Sequence, residues 1–129
     1  MTTAAPSPTA IAIERAVRGA FARPEKISVS EWAQRHRMIV AKDAVEPGRW
    51  RNQRAPYLRG IMDAFVDPMV SRITIMKAER VGGSEAVVNM IAYAIDRAPG
   101  PVLWVYPDID LAKKINEERV FPSLEAMEV

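Results

Sequence analysis

Cysteine is absent from these 129 residues. That excludes a disulfide frame and any thiolate metal site. Histidine occurs once, as His36 in the basic turn Gln34-Arg35-His36-Arg37. It has no partner pattern that would make it a catalytic base, and it reads as a solvated helix end. No apolar run approaches the length needed to cross a bilayer. Met1 to Pro8 lacks the basic stretch and apolar run of a secretory signal, so a soluble, reducing, intracellular setting is the expectation. A large charge excess is also missing. The formal net charge is +2, which does not by itself point to nucleic acid. There is no internal repeat and no low-complexity tract.

What is present suffices for one domain. Hydrophobic residues make up 49% of the chain, enough for a core. Met1 to Thr9, with Pro6 and Pro8, reads as a frayed end. Ile13, Val17, Ala20 and Phe21 recur at helical spacing, and Pro24 stops the pattern. Ser28 and Glu31 form a capping box ahead of a short helix through Trp32, Ala33 and Arg35. Residues 41–52 look irregular, with Pro47-Gly48 as a turn signal. Pro56 suits a first helical turn, Leu58, Ile61, Met62 and Phe65 share one face, and Asp67-Pro68 ends that helix. The period then changes. Val70 to Met76 reads as a strand, Glu85 to Ile95 as a helix, and Val102 to Tyr106 as a strand buried on both faces. Pro107-Asp108 leads into a last helix with a weak face of Ile109, Ala112, Ile115 and Val120. Lys113, Lys114, Glu117, Glu118 and Arg119 read as mixed surface charge on that helix. Strand, helix, strand, helix predicts an α/β fold with a parallel β-α-β core behind a helical N-terminal segment.

The most telling stretch is Lys77-Ala78-Glu79-Arg80-Val81-Gly82-Gly83-Ser84. It joins the first predicted strand to the helix after it, the setting in which backbone amides hold phosphate groups. Against the pattern G-x-x-x-x-G-K-S/T, Gly82 and Ser84 fit. Lys77 stands where the first glycine is usual, and Gly83 where the lysine is usual, so the cation has moved to the other end of the loop. Small residues let amides converge, a cation meets the phosphates, and a hydroxyl meets the metal. Gly82 and Gly83 supply the first, Lys77 and Arg80 the second, Ser84 the third. The bland alternative is a tight turn whose glycines serve geometry, with Ser84 as an N-cap and both cations solvated. Arg49, Arg51 and Arg54 allow contact with DNA phosphates, though such residues more often form a solvated surface.

In order and spacing, five blocks resemble the large subunit of lambda-type tailed-phage terminases, the motors that package DNA. They are Ser30-Glu31-Trp32-Ala33, Gly48-Arg49-Trp50, Pro56 to Ala64, Lys77 to Ser84, and Leu103-Trp104-Val105-Tyr106-Pro107. The resemblance, from about Phe21 onward, implies a partial P-loop NTPase with a deviant Walker A loop. It implies ATP and Mg2+ as cofactors, held by Lys77, Val81, Gly82, Gly83 and Ser84, with Ser84 on the metal. Lys77 and Arg80 become the catalytic cations, and Trp50 and Tyr57 candidate stacking surfaces for the base. Where some members carry an aromatic residue shortly before Gly-Arg-Trp, Val45 stands here. Implied partners are double-stranded DNA, a terminase small subunit and a capsid portal, in the host cytoplasm and away from membrane.

The expected organisation is a tail and helix over 1–24, then the N-terminal portion of the ATPase domain over 25–129, ending before the Walker B region. The acids after Tyr106, Asp108 and Asp110, begin a helix and do not form that second carboxylate site. On this reading the chain alone binds nucleotide weakly and turns over almost none, and its strand edges invite aggregation. The competing functions are a fragment of another helicase-like ATPase and a non-enzymatic α/β interaction module.

Overall fold

The computed structural model describes residues 7–21, 25–40 and 46–127. The opening residues 1–6, the helix stop at Pro24 and Val45 lie outside them. Helix α1 (Pro8–Phe21) matches the predicted helical spacing, yet Ile11, Ile13 and Val17 on it are all exposed.

Helix α2 (Val29–His36) starts where the capping box places it. The Ser28 hydroxyl accepts the Glu31 N–H at 3.3 Å. The reciprocal half is replaced, because the Glu31 carboxylate binds Arg35 one turn on, at 2.5 Å. Asp63 adds a second cap from a distance: its carboxylate accepts the Ser30 N–H at 2.8 Å and the Ser30 hydroxyl at 2.9 Å. The segment after α2 is less irregular than its sequence suggests. Strand β1 (Met38–Ile39) pairs antiparallel with β2 (Gly48–Arg49), in the register Met38 to Arg49 and Ile39 to Gly48.

A 3-10 turn (Asn52–Arg54) leads to α3 (Tyr57–Asp63), which Pro56 opens and a second 3-10 turn (Ala64–Val66) extends. Helix α4 (Gly83–Arg97) is the longest of the core. Its buried face meets α2 and α3, and the three helices enclose Trp32, Leu58, Met62, Ala86, Met90 and Tyr93. Polar groups in this core are satisfied. The Trp32 indole donates to Asp96 at 2.7 Å, and the Tyr93 hydroxyl to the Ile27 carbonyl at 3.0 Å. Trp32 and Tyr93 also meet edge to face at 6.0 Å, the geometry that ring quadrupoles favour. Trp32 stacks at a tilt on His36 as well, so the histidine is packed and not merely solvated.

The parallel sheet is where sequence and structure part. The only sheet among the described residues is the antiparallel pair β1–β2, and neither Val70–Met76 nor Val102–Tyr106 carries ladder bonds. The reason is pairing, since a strand needs a hydrogen-bonded neighbour and these two segments do not supply one to each other. Both keep the alternation of a strand. Ile73 and Ile75 are half-buried and Thr74 and Met76 exposed; Trp104 and Tyr106 are half-buried and Val105 exposed. The Trp104 and Tyr106 rings stack at 5.1 Å, as side chains two apart do on one face of an extended chain. Burial on both faces, expected for 102–106, fails: Leu103 is 89% exposed.

The chain ends in a continuous helical rod of α5 (Ile109–Ile115), a π-helical turn (Asn116–Val120) and α6 (Phe121–Glu125). Asp108 caps its start by accepting the Leu111 N–H at 2.7 Å. No helix of the described residues is long and apolar enough to cross a membrane.

One polar atom is left over. The Tyr106 hydroxyl is buried without a hydrogen-bond partner among the described residues, and burial pushes its ionisation up from the ordinary phenol value. An unpaired buried hydroxyl is costly, so Tyr106→Phe is expected to raise unfolding stability by about 1 kcal/mol. Denaturant titration checks this, and a loss of stability would mean that the hydroxyl has a partner in solution.

Candidate functional site

The loop between residues 77 and 84 is shaped by two left-handed residues. Gly82, the N-cap of α4, has φ 76°, which glycine adopts freely. Arg80 has φ 59°, which costs a side-chain-bearing residue on the order of 1–2 kcal/mol. Such local strain gathers at ligand-binding loops. Two contacts hold the loop from below. The Tyr57 hydroxyl donates to the Val81 carbonyl at 3.0 Å, and the Leu58 side chain lies 3.2 Å from where a Cβ on Gly82 would stand.

No side chain caps α4, whereas Ser28 caps α2 and Asp108 caps α5. The first helical bond of α4 runs from the Ala86 N–H to the Gly82 carbonyl at 3.0 Å. The amides of Gly83, Ser84 and Glu85 precede it, at the positive end of the helix dipole. Ser84 is therefore the second helical residue and not the cap, and its side chain is exposed.

Lys77 lies across this helix start. A Cβ on Gly83 would fall 2.4 Å from Lys77 Cδ and 3.2 Å from Cε, so the lysine stem passes where only glycine leaves room. Lys77 and Gly83 are thus in direct contact.

A groove of about 920 Å³ opens over the loop, and Trp50, Tyr57, Lys77, Arg80, Val81, Gly82, Gly83 and Ser84 all line it. Every residue read from the sequence as a candidate for nucleotide binding is brought to this one surface. The two aromatics differ. Trp50 is only 5% exposed, belongs to the core and donates its indole N–H to Asn52 at 2.8 Å. Its ring is spent on packing. Tyr57 is 58% exposed, so its ring is open to the groove. A smaller cavity of about 310 Å³ flanks the loop on the side of Ile75, Trp104 and Tyr106, and it shares Lys77, Gly83, Ser84, Glu85 and Arg119 with the groove.

Three residues of the site gave no signal in the sequence. Arg37 is wholly buried and donates to Asn89 at 2.9 Å, to the Met38 carbonyl, and to Glu85 at 2.8 Å. Burial pushes its ionisation down, and the Glu85 carboxylate opposes that shift. Glu85 sits next to Ser84 in the first turn of α4. Arg119, read above as one more surface charge, lies 3.9 Å from the other Glu85 oxygen. Of the arginines considered for DNA, Arg54 pairs with Glu46 at 2.5 Å and Arg49 donates to the Arg35 carbonyl at 2.8 Å. No group of three or more His, Asp and Glu placed to hold a metal occurs among the described residues.

Comparison with known proteins places the chain among ATPase domains. Residues 44–129 match the family described as phage terminase large subunit gpA, ATPase domain. The chain belongs to that family. It is 28% identical over 103 residues to the terminase large subunit of Escherichia phage lambda, a match covering 79% of this chain and 16% of that protein. It is 24% identical over 101 residues to the terminase large subunit of Enterobacteria phage P21, covering 78% of this chain and 15% of that one. The chain therefore spans a small part of the length of these relatives. No solved structure matches it.

The glycines separate geometry from function. Gly83→Ala adds a methyl that only the flexible Lys77 stem must avoid, and alanine favours the helix by about 1 kcal/mol. It is expected to keep or raise the melting temperature while displacing Lys77. Gly82→Ala, at φ 76° and against Leu58, is expected to cost about 1–2 kcal/mol. Thermal melts of both variants check the contrast, and equal melting temperatures would contradict it.

Proposed function

We propose that this chain binds the triphosphate of ATP at the start of α4, as the nucleotide-holding part of a DNA-packaging terminase large subunit. The observation that carries it is the uncapped start of α4 at the floor of the groove, with Lys77 laid across it. Free amides at a helix N-terminus and a nearby ammonium group suit an oxyanion. Gly82 and Gly83 allow backbone approach, and the amides of Gly83 to Glu85 donate to phosphate. Lys77 and Arg80 neutralise it. The exposed Ser84 hydroxyl is the ligand for Mg2+, which supplies charge neutralisation when bound. The open Tyr57 ring stacks on the base, while Val81 is held back by the Tyr57 hydroxyl.

Hydrolysis also needs a carboxylate to orient water. Glu46 and Glu85, the acids of the groove, are engaged by Arg54 and Arg37. The described residues are accordingly assigned to binding and not to turnover. In the proposed organisation, 1–24 is a tail and helix and 25–129 the first portion of the ATPase domain. The extended segments 70–76 and 102–106 flank the loop and α4 within that portion. Double-stranded DNA, a terminase small subunit and a capsid portal are the proposed partners, in the host cytoplasm.

Titration with a fluorescent ATP analogue in the presence of Mg2+ tests the site. Lys77→Ala is expected to weaken binding at least about tenfold, the worth of one charge-assisted contact, with an unchanged melting temperature. Ser84→Ala is expected to reduce the dependence on Mg2+ without abolishing binding. Equal or absent binding in the wild-type chain and Lys77→Ala would refute the proposal.

A further inference from the structure

Glu85 is shared between two arginines on unequal terms. One carboxylate oxygen accepts from Arg37 at 2.8 Å; the other stands 3.9 Å from an Arg119 guanidinium nitrogen. The first distance is a hydrogen bond and the second is too long to be one. Arg37 is buried on three acceptors and cannot leave. Arg119 is about four-tenths exposed, and its contact with Glu85 is one of charge alone.

The position of Arg119 is as unequal as its contact. It lines both the groove and the smaller cavity, alongside Lys77, Gly83 and Ser84. It rides on the π-helical turn Asn116–Val120 set between α5 and α6, a widened turn of the kind often found at functional sites. A guanidinium can form two parallel bonds to a phosphate group, which is far more than a shared carboxylate oxygen at 3.9 Å offers it.

We propose that Arg119 is a third phosphate ligand of this site, held beside Glu85 while the loop is empty and transferred to the nucleotide phosphates on binding. This rests on the nucleotide reading of the loop. Glu85 then has two functions: one oxygen fixes the start of α4 to Arg37, and the other keeps a cation ready at the loop without binding it tightly.

The test uses the whole 129-residue chain, a fluorescent ATP analogue with Mg2+, and melting temperatures of each variant. Arg119→Gln is expected to lower affinity on the order of tenfold with little change in melting temperature, and Arg119→Lys to recover part of the loss. Wild-type affinity in Arg119→Gln, with Lys77→Ala impaired, would overturn this inference and leave the site intact. A loss in Arg119→Gln matched by a fall in melting temperature that Arg119→Lys does not repair would also overturn it, in favour of a structural role. Wild-type affinity in Lys77→Ala would overturn the site itself.

Discussion

A buried charge organises this molecule. Arg37 follows α2 directly, and its guanidinium is enclosed by protein on all sides. Taking such a group out of water is expensive, and the cost is offset only if every donor finds an acceptor and a counter-charge stands close. The acceptors come from three places: Met38 in β1, and Asn89 and Glu85 on α4. The residue also accepts the Trp50 N–H on its own carbonyl at 2.9 Å, which carries β2 into the same unit. The end of α2, the small sheet and the first two turns of α4 are thereby one body. Removing one member of a buried pair typically costs about 3–5 kcal/mol, far more than any of the exposed pairs on this surface.

That constraint has an electrostatic consequence for the loop. An acid in the first turn of a helix ordinarily neutralises the positive end of the dipole, and Glu85 stands in that position. Its charge is instead taken up by Arg37. The start of α4 keeps its attraction for an external anion, with Lys77, Arg80 and Arg119 around the same groove. Glu46, the other groove acid, is likewise matched by Arg54. The groove is therefore cationic because its carboxylates are individually countered, and not because the chain is basic; a net charge of +2 gave no hint of it.

Local signals were legible and distant ones were not. The Ser28 cap, the Pro56 start, the Asp67-Pro68 stop and the glycine loop are all determined within a few residues, and each stands where its chemistry places it. All the loop candidates, together with Trp50 and Tyr57, line one groove; it was the family resemblance that grouped the two aromatics with the loop. What escaped was pairing across the fold. Nothing local distinguishes Arg37 from Arg35, although one is buried and the other pairs with Glu25 and Glu31 at the surface. Arg119 looks like its charged neighbours until Glu85 is found opposite. The strands failed for the same reason. Alternation specifies which side chains face inward, but a ladder requires a neighbour that the segment itself does not encode.

The absence of that ladder shows which contacts position the loop. Met76 is fully exposed, Leu103 nearly so and Val105 largely exposed, so the segments before and beyond the loop are anchored on one face only. Lys77 is consequently not held by a sheet. Two contacts from the helical side hold it and its loop: the lysine stem against Gly83, and the Tyr57 hydroxyl on the Val81 carbonyl. Each connects the loop to a helix of the core, and neither passes through residues 70–76. A displaced lysine makes physical sense in this arrangement. At the far end of the loop its stem can return over the helix start, provided the residue beneath it has no side chain, and Gly83 meets that condition. Lys77 and Gly83 are thus matched in packing: the stem keeps this path over the helix start only while position 83 carries no side chain, and a methyl there displaces it.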